Sequence, residues 1–125
     1  MDGHTLEKAR QLQERTKQFA VRIVRMFQAL PKTGEAQVIG KQVLRSGTGT
    51  AANYRAACRS RSKTEFAARM GVVVEEADET VFWLELLVEA RIVSPRRMEG
   101  MLREANELLA IFSASRRTIR QGGHA

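Results

Sequence analysis

A chain of 125 residues, 43% hydrophobic and 28% charged, fits one soluble globular domain with a core of its own. The single cysteine, Cys58, excludes an internal disulfide and any multi-cysteine zinc site, and the absence of a run of about 18 apolar residues excludes a membrane-spanning helix. A formal charge of +7 favours polyanionic partners, although charge alone speaks to attraction and solubility rather than to fold.

The opening residues, "MDGHTLEKARQ", hold no apolar stretch suited to a signal peptide, and with one cysteine a cytoplasmic location is expected. The two histidines, His4 and His124, fall in end segments and make poor catalytic bases. The first periodic segment then reads Leu12, Thr16, Phe19, Ile23, Met26 or Phe27, and Leu30. That spacing of 3 and 4 places one apolar stripe along a helix. Arg10, Arg15, Arg22 and Arg25 are spread along the same segment.

The break "LPKTG" at 30–34 precedes a second stripe of Ala36, Ile39, Val43, Gly47, Thr50 and Tyr54. Gly47, Gly49 and Ala52 satisfy the G-x-G-x-x-A spacing of a dinucleotide-binding loop. Such a loop needs a buried strand before its glycines and alternating strands afterwards. Here the glycines lie inside a stripe that continues on both sides, so the stretch reads as helix. Its small residues then serve either close packing of one helix on another or, as a lesser reading, a ligand cleft above Gly47 and Gly49.

"SRSKTE" at 60–65 carries Ser62 and Glu65 at capping-box spacing, in which hydroxyl and carboxylate each take a free backbone N–H. The third stripe follows as Phe66, Met70, Val73, Ala77, Val81, Leu84 and Val88. "VSPRR" at 93–97 sets Ser94 before Pro95, a cap followed by proline at the first helical position. The fourth stripe reads Met98, Met101 or Leu102, Ala105, Leu108 or Leu109, and Phe112. Four stripes with short connections predict an all-α fold, an antiparallel up-down-up-down four-helix bundle over 1–125 with frayed ends at about 1–4 and 118–125.

Two helices carry more apolar surface than one stripe requires. On the third, Trp83, Leu86 and Ala90 point away from Val81, Leu84 and Val88, with Phe82 further round. On the second, Val38, Gln42, Gly49, Ala52 and Ala56 form another seam. Monomers rarely leave such patches wet, so self-association is expected, with Gly49, Ala52, Phe82, Trp83 and Leu86 at the contact.

The carboxylates Glu75, Glu76, Asp78, Glu79, Glu85 and Glu89 could suggest a metal site, but di-iron bundles use Glu-x-x-His pairs and no helix interior here holds a histidine. Solvated faces or interhelical pairs with arginine account for them, and no metal or cofactor is expected. Cys58 has arginine neighbours that could lower its pKa, yet neither it nor Ser46 has a histidine partner, and catalysis has no visible residues.

Arg55, Arg59, Arg61 and Lys63 gather at the second break, and Arg116, Arg117 and Arg120 near the end of the fourth helix. One reading is complementation of helix dipoles, for Arg59 and Arg117 above all. The other is phosphate contact by Arg55, Arg59, Arg61, Lys63, Arg116 and Arg117, for which the planar guanidinium is suited. Only Tyr54 offers an aromatic ring nearby, so stacking on single-stranded bases has little support.

"LPKTGEAQVIGKQVLRSGTGTAANYRAA", followed by "RSRSKTEFAARMGVVVEEADETVFWLELL", resembles the four-helix bundle proteins encoded in intervening sequences of 23S ribosomal RNA genes. The resemblance covers roughly residues 10–115. It rests on Leu30-Pro31, Glu35, Gln42, Arg45-Ser46, the small run to Asn53, Ser62 with Phe66, and Glu76 to Glu79 ahead of Trp83-Leu84. It implies an antiparallel bundle and a ring-shaped homopentamer. A related branch, the accessory proteins of diversity-generating retroelements, works with a reverse transcriptase and nucleic acid. Gln42, Arg45, Asn53 and Glu76 match polar family positions, whereas Ala56 stands where many members carry an acidic residue.

The expected function is that of a non-enzymatic homo-oligomer binding RNA, DNA or a ribonucleoprotein through its arginines. The alternative is a protein-interaction scaffold whose charge serves solubility. A small-molecule binder or enzyme using the cleft above Gly47 and Gly49 is the remainder.

Overall fold

A computed structural model describes residues 3–122, all but the turns between them in four helices. They are α1 (Gly3–Ala29), α2 (Gly34–Cys58), α3 (Lys63–Glu89) and α4 (Pro95–Gly122), with no strand among the described residues. α1 packs on α2, α2 on α3 and α3 on α4, while a slighter contact of α1 with α4 closes the bundle. Neighbours run antiparallel, so the α2–α3 turn lies at the same end as the start of α1 and the finish of α4.

The four expected stripes form the core. Phe19, Ile23, Val43, Met70, Val73, Leu84, Leu87, Leu108 and Phe112 are buried within it, and Tyr54 sits against Phe112 with ring centroids 5.1 Å apart. Two buried threonine hydroxyls donate to the backbone, Thr16 to the Leu12 carbonyl at 2.9 Å and Thr50 to that of Ser46 at 2.8 Å. Thr80 and Ser46 meet across the α2–α3 seam at 2.9 Å.

Each break does what its residues dictate, with one adjustment. Ser62 accepts from the Glu65 N–H at 3.1 Å, but the Glu65 carboxylate reaches one residue further back, to the Arg61 N–H at 3.1 Å. Ser94 accepts from the Arg97 N–H at 3.2 Å. Thr33, the cap of α2, makes no such bond, and Gln37 instead donates to the Pro31 carbonyl at 2.9 Å.

α1 already begins at Gly3, and α4 continues through 118–122 because Ile119 still packs against the core. Residues 1, 2 and 123–125, and with them His124, lie outside the described residues, as does the side chain of His4.

The glycine-rich stretch is the middle of α2, with ordinary helical backbone and no positive φ at any of its glycines. A Cβ on Gly47 would stand 3.0 Å from Cγ1 and 3.1 Å from Cγ2 of Ile23, so α1 occupies the space a side chain would need. A Cβ on Gly49 would meet the Glu76 carboxylate at 3.3 Å. Close packing explains the small residues, and the cleft above them is filled by Ile23 and Glu76.

Candidate functional site: an arginine-lined groove beside the α2–α3 turn

The last two turns of α2 and the first two of α3 enclose an open groove of about 530 Å³. Arg55 enters from α2, Arg59 from the residue that caps it, Arg61 from the turn and Arg69 from α3, with Ala52 and Ala56 also lining it. Helical spacing explains the alignment, since 52, 55, 56 and 59 share one face of α2. Alanine at two of those positions leaves the groove open.

Glu65 is the one carboxylate among the lining residues. It accepts from the Arg61 backbone and from Arg69 Nε, both at 3.1 Å, and these bonds hold it below the usual carboxylate range. Arg55, Arg59 and Arg61 make no side-chain ion pair among the described residues, so three guanidinium groups line the groove without an ion-pair partner there. No aromatic ring lines it, because Tyr54 turns inward to Phe112. The arrangement suits phosphate oxygens rather than bases.

Three of the six residues expected to hold phosphate are thus brought together. Lys63 is exposed on the first turn of α3 but does not line the groove. Arg116 lies over Gly71, its Nη1 3.9 Å from where a Cβ would stand, and Arg117 is exposed on α4. Both share that end of the bundle without entering the groove. Arg69 and Glu65 lie outside the expected set, although their i,i+4 spacing after the capping serine is a signal for such a pair.

Beside the groove, a polar network crosses the outer face of α2 and α3. Arg45 donates to the Gln42 Oε1 at 3.2 and 3.1 Å and to Glu79, and its Nη1 lies 3.5 Å from Glu76. Trp83 Nε1 donates to Glu79 at 3.1 Å. Gln42, Arg45 and Glu76 therefore meet, while Asn53 is half-buried and takes no part in these bonds. Burial pushes the Glu76 carboxyl up, against the pull of Arg45.

Phe82 and Ala52 are exposed, and Gly49, Trp83 and Leu86 half-buried. Ala52 belongs to the arginine groove rather than to an apolar strip. The Cys58 thiol is half-buried beside Tyr54 and Gln13, and its burial pushes it up rather than down, which removes the activation its arginine neighbours suggested. No cluster of metal-ligating side chains occurs among the described residues, and none of the helices there is long and apolar enough to cross a membrane.

A family model described as 23S rRNA-intervening sequence protein matches residues 8–114. A crystal structure from Bacteroides thetaiotaomicron, of a protein with unknown function from the S23 ribosomal protein family, superposes with a TM-score of 0.82 at 31% identity. The match covers 89% of this chain and 99% of that one. Among curated proteins no match is found.

Proposed function

The chain belongs to the 23S rRNA-intervening sequence protein family, and from that premise we propose that it is a non-enzymatic, self-associating bundle that holds nucleic-acid phosphates in the groove beside its α2–α3 turn. The observation that carries this reading is the meeting of Arg55, Arg59 and Arg61 in one groove without ionic partners. Arginine forks grip phosphate oxygens in pairs, and three in one groove can follow successive phosphates of a backbone. With no ring to stack a base, recognition falls on backbone shape and charge.

Self-association is supported by Phe82, which is 53% exposed, and by Val38 at 65% on the adjoining face of α2. A second copy would bring a second groove, and linked grooves raise avidity without any new contact. The field of a +7 chain multiplied by assembly would draw in polyanions from a distance.

The test is anisotropy of labelled duplex DNA and structured RNA across a range of salt, for the wild type and for Arg55→Glu/Arg59→Glu. For every phosphate the variant no longer neutralises, the log–log salt slope on duplex should flatten by about 0.9. Binding should fall alike for every sequence. Unchanged affinity and slope in the variant would remove the groove from nucleic-acid binding.

A further inference from the structure

The charge of this chain is sorted by helix. Residues 70–89 hold Glu75, Glu76, Asp78, Glu79, Glu85 and Glu89 and no lysine or arginine, inside a chain of net charge +7. Residues 15–29 hold Arg15, Lys17, Arg22 and Arg25 and no carboxylate. These segments belong to α3 and α1, which each touch α2 and α4 but not each other. They stand across the diagonal of the bundle, with outer faces pointing in opposite directions.

Both faces are unfinished in the single chain. On α3 the exposed Glu75, Asp78, Glu85 and Glu89 make no ion pair among the described residues, and Phe82 lies among them, 53% exposed. On α1, Lys17 and Arg25 are likewise exposed without an ion pair there, and Val24, 37% exposed, lies two turns above Lys17 on nearly the same line of the helix. The α3 face is therefore an apolar centre rimmed by carboxylates, and the α1 face beyond the exposed Glu14 presents cations beside an exposed valine, so the signs are opposite.

We infer that the acidic outer face of α3 docks on the basic outer face of α1 in a second copy of this chain, so that self-association is head-to-tail. Two-fold pairing of α3 with α3 would set carboxylates against carboxylates, and α1 with α1 would oppose cations. Like-charge juxtaposition excludes both, whereas complementary potentials favour the mixed contact. Because the two faces point apart, one copy engages a different neighbour through each. Such a heterologous contact closes into a ring or continues as a filament according to its rotation. This inference rests on the self-association proposed above and adds which surfaces meet.

Sedimentation velocity tests it, with circular dichroism to verify each variant's helix content. Lys17→Glu/Arg25→Glu and Asp78→Lys/Glu85→Lys should each weaken association by about tenfold or more, and rising salt should weaken the wild type. The chain carrying all four reversals restores opposite signs and should regain most of the wild-type association. Failure of that rescue, or α1 reversals that leave assembly intact, would overturn the head-to-tail contact while self-association stands. A wild type that stays monomeric at all concentrations would overturn both. If the α1 reversals abolish nucleic-acid binding and spare assembly, α1 is a phosphate face and the contact inferred here is wrong.

Discussion

Trp83 and Arg45, on different helices, share one acceptor: the indole donates to Glu79 Oε1 at 3.1 Å, and the guanidinium donates to the same oxygen. The indole also packs against the core, so Trp83 joins fold and surface. Trp83→Ala should then cost about 3 kcal/mol of stability as a large aromatic truncation, besides weakening association. Phe82→Ser, at an exposed neighbour, should weaken association with stability changed by less than about 0.5 kcal/mol. Urea melts and sedimentation on both variants separate the effects. Equal loss of stability in the two would show that Phe82 is part of the fold.

Glu76 carries a carboxyl pushed above its ordinary value by burial. A raised carboxyl takes up its proton in the folded state first, so stability rises as pH falls through the folded pKa, and the ionised form is a cost above it. Glu76→Gln should stabilise the protein at pH 7 by about 0.5–1 kcal/mol and have no effect at pH 3, where both side chains are neutral. Melts at the two pH values check this. Destabilisation at pH 7 would mean that the pull of Arg45 outweighs burial.

Glu104 behaves in the opposite sense. Arg15 of α1 holds it in a two-point grip, Nε to Oε2 at 2.8 Å and Nη2 to Oε1 at 2.6 Å, and this hydrogen bonding holds the carboxyl below its usual range. A depressed carboxyl contributes stability that is fully present above the unfolded value and is lost as pH falls through the folded one. Arg15→Gln should cost about 1 kcal/mol at pH 7, discounted for partial exposure, and almost nothing at pH 2. The weakening should fall on the α1–α4 seam, the slightest of the four, and hydrogen exchange in those helices would register it. A cost independent of pH would point to packing rather than charge.

The fold was legible in the sequence because burial follows helical period. The large stripe side chains from Phe19 through Phe112 are buried or packed on the core. The basic cluster was legible only as composition, since spacing along one chain does not say which arginines share a groove. Arg55, Arg59 and Arg61 meet there because a helix end and the following turn converge, while Lys63 stays outside. Glu79 was visible as one of six acids, but its tie to Arg45 depends on the antiparallel register of α2 on α3. Register across a seam is set by side-chain packing, here by Gly49 beneath Glu76 and Ser46 against Thr80, which no single periodicity encodes.

Gly47 turns an intrinsic preference around. In a solvent-exposed helix, Gly→Ala gains up to about 1 kcal/mol. At Gly47 the new methyl would stand 3.0 Å from Ile23, a fully buried side chain with no room to retreat. Gly47→Ala should therefore destabilise by about 1–3 kcal/mol. Adding Ile23→Val, which removes a terminal methyl but keeps Cγ1 and Cγ2, should restore less than half. A Gly47→Ala protein as stable as the wild type would mean that α1 slides on α2 to admit the methyl.

Arg91 ends α3 in a conformation suited to glycine, with φ of 61°. Its N–H donates to the Val88 carbonyl at 3.0 Å, and that of Ile92 to Leu87 at 2.9 Å, the paired bonds of a Schellman motif. Ile92 packs back onto the core and fixes the exit of the chain. A left-handed L-residue costs about 1–2 kcal/mol, and glycine removes that strain while adding freedom to the unfolded chain worth up to about 1 kcal/mol. Arg91→Gly should then raise stability by about 0.5–1 kcal/mol, read from urea melts at fixed protein concentration. The fixed concentration matters because the proposed self-association would itself shift the midpoint. A decrease instead would mean that the guanidinium, at the negative end of α3, contributes more through the helix dipole than its backbone costs.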